Sequence, residues 1–399
     1  MTRHLTRRAL LNAAGLGAAA LVIPRVSYAQ GAPLRLGVLT PLTGAGGNDG
    51  PRMLKAMQVV ATEVNDAGGV MGRKIELVIE DDQTNPEAAV RAARKLIDVE
   101  KVPVIMGTWA SAVTSAVAPV CWESKTFLTT VSGADSITLL PHQGYLIRTQ
   151  PNNHLQAAKH AEFIGQSGAK RVFILSIQAP FSVPTQKRLE EVLPQYASAL
   201  VGGLIYEKDK TTYRSEIDQA LRAQPDLLYL NGYAPDVTVM LRDIYRAGFN
   251  GPRFTQSYAL TGKMIESLPA DVTEGAYTVQ PSADVGAKAY DLATKRLGYE
   301  PDSYEAQATD WISLVCLTIA KAKDANGTAL RDNVRKISQG AGTKVYSAVE
   351  GLKLIAKGEE INYEGVSGPC DFNDIGDILD CKFRYHRVEA GKFKLVKIL

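Results

Sequence analysis

The stretch TPLTGAGGNDG, residues 40–50, carries Gly44, Gly46, Gly47 and Gly50 between an apolar strand-like run and a helix-like run. Glycines at such a junction can cradle a phosphate, because they let backbone N–H groups approach an anion at a helix N-terminus. A dinucleotide fingerprint needs G-x-G-x-x-G and an acid about 20 residues further on. Here Gly44-x-Gly46 leads to Asp49 where the third glycine belongs, and Glu80, Asp81 and Asp82 come about 36 residues after Gly44. A carboxylate at the mouth of a phosphate site would repel its ligand. No G-x-x-x-x-G-K-[ST] occurs. The spacing therefore points to a tight turn entering a helix. A small molecule could still contact that turn, since ligands of parallel α/β sheets sit beyond the carboxyl ends of the strands.

Other reactive constellations fail on spacing. No H-E-x-x-H and no G-x-S-x-G is present, and His4, His142, His154, His160 and His386 do not share metal spacing with the cysteines. No metal or cofactor is expected. Glu80, Asp81 and Asp82 could act as acid and base, but a charged strand end beside a turn reads as solvated. The four cysteines fit an oxidising compartment without a dense disulfide framework. Cys370 and Cys381 flank DFNDIGDILD, which reads as a reverse turn between strands, so a Cys370–Cys381 disulfide is expected. Cys121 and Cys316 fall in apolar helical patterns and read as buried thiols.

The elements that position these residues alternate. LRLGVLTPL reads as a buried strand, residues 50–67 as a helix with Pro51 in its first turn, and KIELVIEDD as a strand. NPEAAVRAARKLIDVE opens on an Asn cap with proline at the first helical position. VPVIMG, a small-residue helix from TWASAV, and TFLTTVS follow. The β-α alternation implies a parallel sheet with helices on both faces. It restarts after YLIRTQPNN with a second series of about the same length. The fold class is therefore α/β, with two doubly wound parallel-sheet lobes. Residues 284–340 are mostly helical and the stretch from Val366 is strand and hairpin, so late segments should return to the first lobe and the last strands cross again.

The chain has 399 residues, room for two domains, and a formal charge of +3. Residues 1–29 hold Arg3, Arg7, Arg8 and Arg25 and no acid. Without them 41 of the 45 basic residues face 42 acids, about −1, which gives no reason to invoke nucleic acid or an anionic membrane. The basic start, the apolar run from Leu10 to Ile23 and the small-residue pattern Ser27-x-Ala29 read as an export signal cleaved near Ala29. Thr6-Arg7-Arg8-Ala9-Leu10-Leu11 resembles a twin-arginine signal. No cysteine follows the apolar run, so no lipid anchor is expected, and a periplasmic protein is.

The phrases TPLTG, NDAGGVMGRKIEL, EDDQTNP and MGTWASAV, with YLIRTQPNN, PDLLYLNGYAPDVTVMLRDIYRAG and GPCDFNDIGD further on, together resemble the periplasmic leucine/isoleucine/valine-binding proteins of ABC importers. The resemblance spans nearly the whole mature chain. It implies two lobes joined by three hinge crossovers: 30–149 and 280–380 in the first lobe, 150–279 and 381–399 in the second. It implies a monomer that closes on one small solute and docks on an inner-membrane ABC permease. It places the ligand carboxylate at Ser111 and the α-amino group near the carbonyl of Ala134 and the side chain of Asp135. Phe181 and Tyr233 fall at pocket positions, and Tyr258 stands where amino-acid binders often carry a glutamate. Without that glutamate the solute is an amino acid held by Asp135, branched-chain or related. If Asp135 points elsewhere, it is an aromatic or other organic acid among Trp109, Phe181, Tyr233 and Tyr258. Trp109 and Phe181 read equally well as core. An enzyme of the nucleotide-dependent α/β class is disfavoured by the glycine spacing, and a receptor's sensing module by the lack of an effector segment after Leu399.

Overall fold

The computed structural model describes residues 31–282 and 286–399; the expected export signal lies outside the described residues. Five parallel strands form the first sheet: β1 (Leu34–Thr40), β2 (Ile75–Asp81), β3 (Val104–Gly107), β4 (Phe127–Thr130) and β5 (Leu146–Arg148), in the order β2-β1-β3-β4-β5. The next five repeat the plan. β6 (Arg171–Ile177), β7 (Ala199–Tyr206), β8 (Leu227–Asn231), β9 (Arg253–Gln256) and β10 (Tyr277–Ser282) run parallel in the order β7-β6-β8-β9-β10. The central strands β3 and β8 are buried at every position, as strands covered by helices on both faces must be.

A short pair, β11 (Thr343–Val345) and β12 (Ile361–Tyr363), stands apart from both sheets. The final hairpin, β13 (Lys382–Glu389) and β14 (Lys392–Ile398), joins the second sheet antiparallel beside β10. The second sheet is thus mixed, with antiparallel strands on one edge of a parallel core. Late helices pack on the first lobe. The helix Ser303–Ala322, buried from Ser303 to Ala320, lies against the helix Gly50–Asp66. The chain therefore passes between the sheets three times, after β5, after β10 and before β13.

Buried polar contacts sew these passages together. The Arg148 side chain donates from Nε to Asp377 Oδ1 at 2.8 Å, with its Nη2 2.6 Å from the same oxygen. Its Nη1 donates to the carbonyls of Ser132 and Ala134 at 3.1 and 2.6 Å. Asp310 accepts from Tyr363, Val366 and Ser367, which holds the third passage to the long helix.

The expected Cys370–Cys381 disulfide does not form: all four cysteines are free and buried. The intervening segment does turn back, through an antiparallel bridge of Phe372 with Ile378. The third passage nonetheless separates the thiols. Cys370 packs in the core that contains Trp311 and Tyr363, and Cys381 in the core of Phe254 and Phe383.

Candidate functional site

In a sheet ordered 2-1-3-4-5, the strand order reverses between the first and third strands, and a crevice opens at their carboxyl ends. Both lobes use that place. Trp109 and Ser111 follow β3, and Asn231 and Tyr233 end and follow β8. The two crevices face one another across a cavity lined by Trp109, Ser111, Phe181, Tyr233, Tyr258 and Tyr304, with a neutral polar wall around Gln156, Asn231 and Gln256. About 40 Å³ of it is open to the centre of a water molecule, room for about three waters or one compact organic guest.

Aromatic rings close the lobes over this space. Trp109 lies 5.2 Å from Tyr233 and 5.4 Å from Tyr258, centroid to centroid. Tyr258 lies 6.3 Å from Tyr304, and Phe181 6.0 Å from Tyr233. Trp109 is 5% exposed, and its indole Nε1 finds no hydrogen-bond partner.

Ser111 opens the helix Ser111–Glu123, whose N-terminus has no side-chain cap. A helix start of this kind leaves backbone N–H groups and a positive dipole end for an anion. The Ser111 hydroxyl accepts from the backbone N–H of Ala134 at 3.2 Å.

Two residues expected to hold an ammonium group are engaged elsewhere and do not line the cavity. The Ala134 carbonyl accepts from Arg148, and the Asp135 carboxylate accepts from the N–H of His154 at 3.0 Å, in the first turn of the helix Asn153–Gln166. Tyr304, Gln156 and His160 are lining residues that the sequence reading missed. Tyr304 sits in a run that reads as a sheet-covering helix, and only the crossover brings that helix to the cleft.

Among the described residues, no aspartate, glutamate, lysine or arginine lines the cavity. Burial pushes the hydroxyls of Tyr233, Tyr258 and Tyr304 well above their usual range, so they stay protonated. Burial also drives His160 down to about 3, so its ring is neutral. A carboxylate guest would bring a full charge into a space that the described residues leave neutral.

The glycine loop is a turn rather than a phosphate cradle. Asp81 Oδ1 accepts from the N–H groups of Leu42 and Thr43 at 2.9 and 3.2 Å, and the Thr43 hydroxyl donates to Oδ2 at 2.6 Å. Burial alone would raise the pKa of Asp81, but bonds from Thr43, Gln83 and Leu42 outweigh it and hold the carboxylate below its usual range. Gly44 has φ +76°, and a Cβ at Gly50 would lie 2.0 Å from the Pro41 carbonyl oxygen, so both positions require glycine.

Asp82, expected to be solvated, is fully buried, and its Oδ2 has no partner. Burial pushes its pKa up to about 7, opposed by the Thr84 N–H and aided by the charge of Asp81. Between the ordinary value of 3.8 and about 7, the folded protein keeps a proton that the unfolded chain has released. Stability therefore falls as pH rises through that window and levels off above it. Asp82→Asn should shrink the drop in melting temperature between pH 5 and pH 8, measured by differential scanning fluorimetry. An unchanged pH profile would show that Asp82 is ionised in the fold.

Two twin sheets whose facing strand ends enclose a neutral cavity define a two-lobed solute-binding protein. The chain belongs to the periplasmic binding protein family, whose model matches residues 33–375. The substrate-binding protein BasB of a chemotactic signal transduction system in Halobacterium salinarum is 26% identical over 359 residues, 86% of this chain and 84% of that protein. A leucine-, isoleucine-, valine-, threonine- and alanine-binding protein of Pseudomonas aeruginosa is 24% identical over 333 residues, 80% of this chain and 87% of its own length. The structure of an ABC transporter solute-binding protein from R. palustris, in complex with benzoate, matches with a TM-score of 0.74 at 17% identity. That match covers 92% of this chain and 96% of the other.

Proposed function

We propose that this chain is the solute-binding component of an ABC importer for amino acids and related organic acids. It is exported to the periplasm, works as a monomer, traps one small carboxylate between its lobes and hands it to an inner-membrane permease. The observation that carries this reading is the cavity between the lobes at the uncapped N-terminus of the Ser111 helix, where the guest's carboxylate is received. No bond is made or broken. The relative in Pseudomonas aeruginosa named for five amino acids supports the amino-acid form of the reading.

Closure follows from differential binding. A guest that touches Ser111 on one lobe and Tyr233 and Tyr258 on the other binds the closed form better. Moving an equilibrium from 1:99 to 99:1 takes about 5.5 kcal/mol of such preference.

A second reading of the solute, an aromatic acid, is favoured by the cavity wall itself. Among the described lining residues an ammonium group would meet no carboxylate, while Trp109, Tyr233, Tyr258 and Tyr304 offer ring faces and edges. The benzoate held by the R. palustris protein is a solute of that kind.

Titration calorimetry with leucine, isoleucine, valine and benzoate tests both forms. Binding of at least one at a ratio of one to one is expected. Ser111→Ala should weaken it about tenfold, the worth of one hydrogen bond to a charged group, about 1.5 kcal/mol. Turnover of a substrate, with no binding of any of the four, would overturn the importer reading.

A further inference from the structure

The last strand of the second sheet, β14, pairs only with β13, so among the described residues its outer edge is open. The register sorts its side chains. Phe393, Leu395 and Ile398 stand opposite Val388, His386 and Arg384 on one face. Lys392, Lys394 and Lys397 stand opposite Glu389, Arg387 and Tyr385 on the other. The Phe393 ring lies 6.0 Å from that of His386, on the same face. A one-residue bulge at Val396 keeps the two series in phase where the alternation of the sequence breaks. The strand is therefore apolar on one side and cationic on the other.

Its backbone is set to pair as well. The Val388 N–H donates to the Ala276 carbonyl at 2.8 Å and its carbonyl accepts from the Gly275 N–H at 2.9 Å, both on the side away from β14. The Val388–Phe393 pair is thus a non-hydrogen-bonded one, and so is His386–Leu395 two residues on. The N–H and C=O groups of Phe393 and Leu395 therefore point outward. Lysine on an edge strand is an ordinary guard against aggregation. It does not explain Phe393, Leu395 and Val396, which are 38, 48 and 48% exposed. The lysines are also poorly balanced. Lys394 reaches Glu389 at 3.0 Å, Lys397 donates to the neutral Gln166, and Lys392 meets no acid among the described residues.

We infer that β14 is a docking edge for an extended segment of a partner protein in which acidic and apolar residues alternate, added to the second sheet as a further strand. The outward groups of Phe393 and Leu395 continue the ladder, the three lysines face the acids on one side, and the apolar residues meet on the other. A second copy of this chain does not fit. Residues paired across two strands share a face, so self-pairing in either direction would set lysine beside lysine. A bilayer fits less well than a strand. It would meet the apolar face with the lysines turned away from its headgroups, and it would leave the outward backbone groups without partners. The inference does not depend on which solute the cleft holds.

Fluorescence anisotropy on the mature chain tests this with two fluorescent peptides, Glu-Val-Glu-Val-Glu-Val-Glu and Lys-Val-Lys-Val-Lys-Val-Lys. The wild type is expected to bind the acidic peptide at least about tenfold more tightly than the basic one. The triple variant Lys392→Glu, Lys394→Glu, Lys397→Glu should reverse that order. Hydrogen exchange at the Phe393 and Leu395 amides should slow when the acidic peptide is bound. If the triple variant does not fold, the acidic peptide N-methylated at every valine or at every glutamate keeps the test on the wild type. One of the two series faces β14, and its methylation should weaken binding at least about tenfold. No binding of the acidic peptide, equal binding of both peptides, or binding that leaves the two amides unprotected would overturn the inference. So would binding of phosphatidylglycerol vesicles in place of the peptide, or self-association of the wild type through this edge. Calorimetry of solute binding is a separate measurement, so failure here leaves the importer reading standing, and failure there leaves this one.

Discussion

Asp377→Ala is expected to cost about 3–5 kcal/mol of stability, the scale for breaking a buried ion pair from one side. Arg148 is completely buried, and Asp377 is its counter-ion at 2.6–2.8 Å. Removal of the carboxylate leaves a guanidinium without a partner where water does not reach. It also frees the Thr138 hydroxyl and the Asn152 side chain, each of which donates to Asp377 Oδ2 at 3.2 Å. The damage extends to the cleft. Arg148 also holds the Ser132 and Ala134 carbonyls, which flank Gly133 on the cavity wall. Urea unfolding followed by tryptophan fluorescence measures the loss as a lower midpoint. Asp377→Asn, which keeps the acceptor and drops the charge, should fall between wild type and alanine. A midpoint within 0.5 kcal/mol of wild type, the ordinary range for a surface substitution, would mean that the pair does not tie the first and third passages together.

Trp109→Ala is expected to weaken ligand binding about 30-fold. Trp109 belongs to the first lobe, and its ring meets Tyr233 and Tyr258 of the second at 5.2 and 5.4 Å. Each aromatic pair contributes about 1 kcal/mol beyond its buried area, so two pairs amount to about 2 kcal/mol, or about 30-fold. These contacts run between the lobes, so under the proposed closure their loss should shift the equilibrium toward the open form. Calorimetry with benzoate or leucine, whichever binds the wild type, reads the affinity. Small-angle scattering with ligand present should show a larger radius of gyration for the variant. Unchanged affinity would make Trp109 core of the first lobe and nothing more, the alternative that its sequence context leaves open.

Much of the architecture is legible along the chain because its causes are local. Buried strands show as short apolar runs, and helices show as a period and a cap. Asn85 accepts from the N–H groups of Glu87 and Ala88, as its place before Pro86 implies. The failed glycine spacing also holds, since the loop's N–H groups are taken by Asp81 and, at Gly46, by the Thr84 hydroxyl. Ser111 is singled out in the sequence through the family resemblance of MGTWASAV, and the structure places it at the start of a helix that follows a buried strand.

What the sequence determined by itself, then, is two α/β lobes and a glycine turn that is no phosphate cradle; its family resemblance added a helix N-terminus and aromatic residues at the cleft. Only the tertiary structure decided which polar groups remain free for a guest. Arg148 and Asp377 stand 229 residues apart, and their pairing takes the Ala134 carbonyl out of the site. Asp135 is spent on a helix N-terminus, Cys370 and Cys381 fall into different cores, and Tyr304 reaches the cleft only through the second passage. Each outcome turns on a partner that is distant in the chain. Propensity and period act over a few residues, whereas burial and hydrogen-bond partnership are properties of the assembled fold.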